Sequence, residues 1–232
     1  MYKQAKTKNC LKSGKGFTLA EVLVTLAIIG VVAALTIPSL IQSTKNAATV
    51  TGVKKVYSVL SQAYNSFIAD DTTMDTVWAG NAQDANILNQ FCSKLNCIKN
   101  CGTGTGCFPD INYKTLAGND SFNMNTAGFG TAILADGTSL YIEDETAGCT
   151  NDYSDGIGAA SPFYYECGGI VVDINGFKAP NQFGRDAFLF HVTRTGIFPY
   201  GSNNDSYSNT CVTSDLGYGC AYKILTEGAI NY

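Results

Sequence analysis

Three sets of side chains in this 232-residue chain have the type and spacing to do chemistry. The first is a lone carboxylate. Glu21 sits inside the otherwise uncharged, mostly apolar run 17–37, whose 21 residues as a helix span roughly 30 Å, the thickness of a bilayer's hydrocarbon core. An acid placed there costs about 2.5–3.5 kcal/mol if it sits deep, so it calls for a partner or a task. The second set is sulfur. Cys92, Cys97, Cys101, Cys107, Cys149, Cys167, Cys211 and Cys220 follow the apolar run, and Cys10 precedes it. The third is oxygen: Asp173, Asn175, Asn181 and Asp186 surround glycine and proline turns, as a calcium loop requires and as Asx-capped turns also require. It is no EF-hand, because Phe177 and Gly184 stand where that loop needs oxygen ligands.

The segment before the apolar run carries Lys3, Lys6, Lys8, Lys12 and Lys15 and no acid. An ordinary secretory signal has an apolar segment of about 7–15 residues followed by a small-residue cleavage site. Here the apolar run is longer and the small-residue junction, Gly16-Phe17, precedes it. Cleavage at that junction removes the charged leader and keeps the helix. It also takes Cys10 away, leaves an even eight cysteines, and moves the formal charge from −4 to about −9. An acidic product of this kind argues against a basic nucleic-acid groove.

Lys15-Gly16-Phe17-Thr18-Leu19-Ala20-Glu21, followed by the apolar run and Pro38, resembles the class III signal of type IV pilins and type II secretion pseudopilins. The resemblance implies that a prepilin peptidase cuts after Gly16 and methylates Phe17. It makes Glu21 the assembly glutamate, paired in a fibre with the Phe17 amine of a neighbouring subunit, where mutual neutralisation lowers the cost of burying both charges. A glutamate that snorkels to the headgroups is the plainer alternative. The implied partners are other pilin or pseudopilin subunits, the prepilin peptidase, a membrane assembly platform and membrane lipid, with no nucleic acid. The implied location is the cytoplasmic membrane, crossed once with the head outside the cytoplasm, and then a periplasmic or surface fibre. Pseudopilin heads also carry calcium beside their last strands, so a structural calcium is the one ligand entertained, and no cofactor is required.

On this reading, residues 1–16 are the leader, 17–38 the transmembrane and assembly helix, 39–69 an amphipathic spine and 70–232 the globular head. Val50, Val53, Tyr57, Leu60, Tyr64 and Phe67 recur at steps of three and four, giving the spine one apolar face. Pro38 should kink or locally melt the helix. Residues 70–130 show little periodicity apart from a short helix at 84–95. Asp136-Gly137 between 130–135 and 138–143 is a strong hairpin signal. With 169–174, 187–193 and 197–200 it gives an antiparallel sheet of about four or five strands. The fold class is therefore α+β, with a long N-terminal helix packed on a small sheet in a disulfide-rich head.

Eight cysteines in an exported, loop-rich domain read as up to four disulfides. Sequence-local pairs are favoured: Cys211 with Cys220, Cys149 with Cys167, and two bridges within the 92–107 cluster. Zinc in that cluster is the competing reading, weakened by the lack of paired Cys-x-x-Cys knuckles. No nucleophile elbow, zinc-protease helix, phosphate loop or dinucleotide fingerprint occurs, and the single histidine, His191, falls on an alternating strand, so no enzyme is expected. A structural subunit of a pilus or of a secretion pseudopilus is the leading reading. A monomeric membrane-tethered binding module, using the Gly- and Tyr-rich stretch 200–222, is the alternative.

Overall fold

A computed structural model describes residues 16–79, 85–144, 148–154 and 156–232. The chain divides into two compact units, Met1–Thr44 and Lys45–Tyr232. Helix α1, Leu19–Ala69, contributes to both. In the first unit no described residue is buried, and Leu23, Leu26, Ile29 and Leu35 all face outward. α1 is continuous through Pro38, so the local melting expected there does not occur. Proline removes one amide donor and crowds the preceding turn, but the turns on either side keep their own bonds.

In the second unit α1 presents Val50, Val53, Val56, Leu60, Ala63, Tyr64 and Phe67 as its buried face, with Tyr57 half-buried beside them and stacked on Phe190 at 6.1 Å. Two short helices follow, α2 (Met74–Val77) and α3 (Ala85–Lys94). The helix expected at 84–95 is α3, and position 84 lies outside the described residues. Among the described residues the sheet has six strands: β1 (Cys97–Gly102), β2 (Gly130–Leu134), β3 (Ser139–Asp144), β4 (Glu166–Asp173), β5 (Ala187–Thr193) and β6 (Gly196–Pro199). Each pairs antiparallel with the next, in the order β1-β2-β3-β4-β5-β6. The Asp136-Gly137 turn closes the β2/β3 hairpin, with Gly137 at φ +88° and the Thr138 amide donating to Asp136 Oδ1 at 3.0 Å.

Two corrections to the sequence expectation follow. β1 makes the sheet larger than four or five strands, and α4 (Cys220–Glu227) closes a region read as loop. β1 lacked a hydrophobic alternation because it is an exposed edge strand, with Ile98 two-thirds exposed and register shifts on either side of the 99–100 pairing. α4 is short, and its buried face rests on only Cys220, Ala221 and Ile224.

Every residue of β4 and β5 is buried, which requires cover on both faces of the sheet. The spine half of α1, with α3 and α4, contributes to one core around Leu60, Trp78, Phe91, Ile170 and Phe190. An aromatic core of Phe108, Tyr113, Tyr141, Phe183 and Tyr200 fills the other, under segments that lack regular structure. Disulfides pair Cys92–Cys97, Cys101–Cys107, Cys149–Cys167 and Cys211–Cys220. The first two bracket β1, and the last two tie long connections to the sheet and to α4.

Gly168 of β4 shows how closely the layers meet. A Cβ there would lie 2.4 Å from the Glu143 carbonyl oxygen and 2.9 Å from Trp78 Nε1. Gly168→Ala should destabilise the head by about 1–3 kcal/mol, through the backbone shift that overpacking forces. The urea midpoint of the full chain in detergent, read from the fluorescence of Trp78, the single tryptophan, checks this.

Candidate functional site

Gly16, Phe17 and Thr18 precede the first turn of α1 outside any regular element, and Phe17 is 89% exposed. A Cβ at Gly16 would meet nothing within 4 Å, and its φ is not in the left-handed range. The fold itself therefore places no demand for glycine at 16, and the reason for it lies outside the folded chain.

Glu21 has a local partner that the sequence reading missed. Its Oε2 accepts from the Thr18 amide and from Thr18 Oγ1, both at 2.8 Å, while the Glu21 amide donates to Thr18 Oγ1 at 3.2 Å. This is a reciprocal capping box, and its Thr-x-x-Glu signature at 18–21 was there to be read. The glutamate sits where it answers the free amides and positive end of the helix dipole. Glu21 is the only charge between Phe17 and Thr44. The hydroxyls along this stretch bond back to the helix: Thr25 to the Val22 carbonyl, Thr36 to Val32, Ser39 to Thr36 and Thr44 to Leu40, each at 2.9 Å. A helix that satisfies its own polar groups in this way is compatible with lipid. Among the described residues, α1 is the helix long and apolar enough to cross a membrane.

The oxygen-bearing turn between β4 and β5 does bring its four residues together. Asp173 Oδ1 accepts the amides of Asn175 at 3.0 Å and Gly176 at 2.8 Å, and its Oδ2 takes the Tyr113 hydroxyl at 2.5 Å. Asp186 Oδ2 accepts the Asn181 amide at 2.8 Å and Asn175 Nδ2 at 3.2 Å, while Oδ1 accepts the Gln182 amide at 2.7 Å. These are turn-capping bonds, so the Asx reading describes what both carboxylates do here. Asn175 Oδ1 and Asn181 Oδ1 are both buried without a hydrogen-bond partner. Burial, and then the neighbouring Asp186 charge, push the Asp173 carboxyl up to about 7 against the pull of its hydrogen bonds, and burial raises Asp186 as well. Two buried acids and two orphaned amide oxygens make a hard-oxygen set that suits calcium. Among the described residues, no group of three or more His, Cys, Asp or Glu side chains is placed to hold a metal. The sulfurs of the 92–107 cluster are all in disulfides, so none is left as a thiolate for zinc.

The single histidine is a fully buried residue of β5, set between Glu166 and Asp205.

Residues 11–37 of the 232 match the family model described as the prokaryotic N-terminal methylation motif, the signature of the prepilin-type signal of type IV pilins and pseudopilins. Within it fall Gly16, Phe17, Glu21 and the apolar half of α1. Searches of curated proteins and of solved structures give no match. The motif points to a structural subunit class and to membrane anchoring of the N-terminal helix.

The raised Asp173 carboxyl has a pH consequence. An acid whose folded value exceeds its unfolded value of about 3.8 holds its proton more tightly when folded. Its stabilising contribution is complete below that unfolded value and is lost as pH rises toward about 7. In chelator-treated buffer the urea midpoint should fall between pH 4 and pH 7, and Asp173→Asn should make that fall shallower.

Proposed function

We propose that this chain is the precursor of a structural fibre subunit, either of a type IV pilus or of a type II secretion pseudopilus. It would be held in the membrane by α1, trimmed after Gly16, methylated at Phe17, and added to a helical fibre by helix packing. The observation that carries this reading is the junction of Gly16-Phe17 with the exposed, apolar first half of α1, where Glu21, the single charge before Lys45, lies in the first turn. A helix with no buried residue in its first half needs lipid or other helices around it, and a plain anchor needs neither the glycine nor the glutamate.

Glu21 then has two states of comparable chemistry. Bonded to Thr18, as here, the carboxylate is satisfied within its own chain; in a fibre it would exchange part of that cap for the Phe17 amine of a neighbour. The pairing would set the axial register between subunits, since only one offset brings amine and carboxylate together. The head, outside the cytoplasm, would supply the fibre's surface. Other subunits, the prepilin peptidase, an assembly platform and lipid are the partners this requires.

Intact mass of the protein from its native membrane tests the reading. Loss of residues 1–16 with gain of one methyl group, blocked in Gly16→Ala, is the expected result; retention of the leader, or processing indifferent to Gly16, overturns it. Glu21→Ala should be processed yet fall at least tenfold in the sheared fibre fraction. A monomeric binding module would show no dependence on Glu21.

A structural calcium in the head extends the proposal. Asp173 and Asp186 would supply charge, with Asn175 Oδ1 and Asn181 Oδ1 as neutral ligands, and the ion would relieve the repulsion between two buried acids. Ligand binding to the folded state alone stabilises by about 2.7 kcal/mol at a hundredfold excess over Kd. Millimolar calcium should therefore raise the thermal midpoint of the chelator-treated protein, and Asp186→Asn should abolish the rise. An unchanged midpoint in the wild type removes the calcium.

A further inference from the structure

The most heavily buried charged cluster in the head lies apart from the N-terminal segment and the oxygen-bearing turn. His191 on β5, Glu166 on β4 and Asp205 in the segment after β6 are each at most 1% exposed. His191 Nδ1 is hydrogen-bonded to Glu166 Oε1 at 2.5 Å, and Nε2 lies 3.1 Å from Asp205 Oδ2 as a close ion-pair contact not aligned as a hydrogen bond. The imidazole is stacked on Tyr200 with ring centres 3.6 Å apart, and Tyr153 and Phe163 close around it from the 148–165 segment. The Tyr200 hydroxyl donates to Glu166 Oε1 at 3.4 Å. Among the described residues, Glu143 of β3, Tyr153 and Tyr207 are the other ionisable groups that act on the Tyr200 hydroxyl.

A neutral imidazole carries one N–H and one lone pair. Between two carboxylates, one on each ring nitrogen, the neutral form must turn its lone pair toward one of them. Only the imidazolium presents an N–H on each ring nitrogen and a positive charge to both acids, and its loss removes the charge that lies between them, the costly direction for a buried ion cluster. The flat contact with Tyr200 also favours the cation.

Asp205 is what the row holds in place. Its Oδ2 accepts the Gly201 amide at 2.5 Å and its Oδ1 the Tyr207 amide at 3.0 Å, so it organises the first half of the segment between β6 and α4. The second half is fixed by other means: the Cys211–Cys220 disulfide, and the amides of Leu116 and Ala117 donating to the carbonyls of Leu216 and Asp215, each at 2.9 Å. We propose that Glu166, His191 and Asp205 form a proton-operated latch, in which protonated His191 clamps residues 201–210 onto the sheet and its deprotonation loosens that arc while the disulfide keeps the far end attached.

The direction of the pH dependence follows from the surroundings. Burial by itself would lower the imidazole, but the bonds to Asp205 and Glu166 and their charges outweigh it and raise it above its ordinary 6.5. A base whose folded value is raised contributes stability that is complete below 6.5 and is lost as pH rises through the folded value. The latch is therefore closed on the acid side and opens on the alkaline side. It does not depend on the fibre reading, because it lies wholly within the head.

Because His191 is the only histidine, its ring signals need no assignment by mutation. The test is a pH series of nitrogen-15 spectra on the full chain in detergent, with exchange protection measured at the Gly201 and Tyr207 amides. The expected result is an imidazole whose two nitrogens lose their shared proton with a midpoint above 6.5. Protection of the two amides should fall by up to about tenfold per pH unit between 6.5 and that midpoint and level off above it. A midpoint at or below 6.5, or amide protection that stays constant between 6.5 and the midpoint, overturns the latch. Asp205→Asn should lower the midpoint and abolish the coupled loss of protection; if that variant fails to fold, the wild-type titration decides alone.

Discussion

The contact on which the head depends is the seating of α1's second half on the sheet. Val53, Leu60 and Phe67 reach it at intervals of seven residues, each nearly or wholly excluded from water. Phe67 and Trp78 then meet Phe91 at 5.3 and 5.4 Å, which brings α3 to the same core. A sheet whose central strands are buried throughout cannot stand without cover on this face. The requirement also constrains the helix itself. Its apolar face must narrow to one side after residue 45, while the residues before 45 are apolar all round. The same helix thus carries two hydrophobic patterns for two different surroundings.

The parts of this architecture that were legible in the sequence are those with a local rule behind them. The spine face follows from three- and four-residue spacing, the β2/β3 hairpin from Asp136-Gly137, and β5 from an unbroken run at 187–193. The parts that were not legible depend on partners distant in sequence. β1 has little apolar pattern because its neighbours are β2 on one side and solvent on the other. The single histidine declares nothing by spacing, since its carboxylates come from positions 25 residues before it and 14 after it. The capping box at Thr18 and Glu21 is a different kind of omission: the signature was local, and attention to the glutamate's charge obscured its place as N3 of a helix.

Polar groups in the head are distributed on a consistent principle. Where carboxylates enter the interior they organise backbone turns: Asp173 and Asp186 hold the β4/β5 connection, and Asp205 holds the start of the segment after β6. Salt bridges at the periphery, such as Lys55 with Asp136 at 2.7 Å and Arg194 with Asp75 at 2.6 Å, are partly exposed and contribute at most about 1 kcal/mol each. The irregular segments are thus ordered mainly by buried acids, aromatic stacking and disulfides, with little help from surface charge.

The strand order has a consequence for how the head comes into being. In a sheet whose spatial order is its chain order, each strand finds its partner already present, one connection upstream. No strand must be held open for a later one to slot between, and each strand-to-strand closure spans only its own loop, which keeps the entropic cost of every step small. The helical face that covers the first core precedes all six strands in the chain. The head can grow outward from it in the direction of synthesis, with β6 and α4 the last pieces laid down and the disulfide between Cys211 and Cys220 the last knot tied.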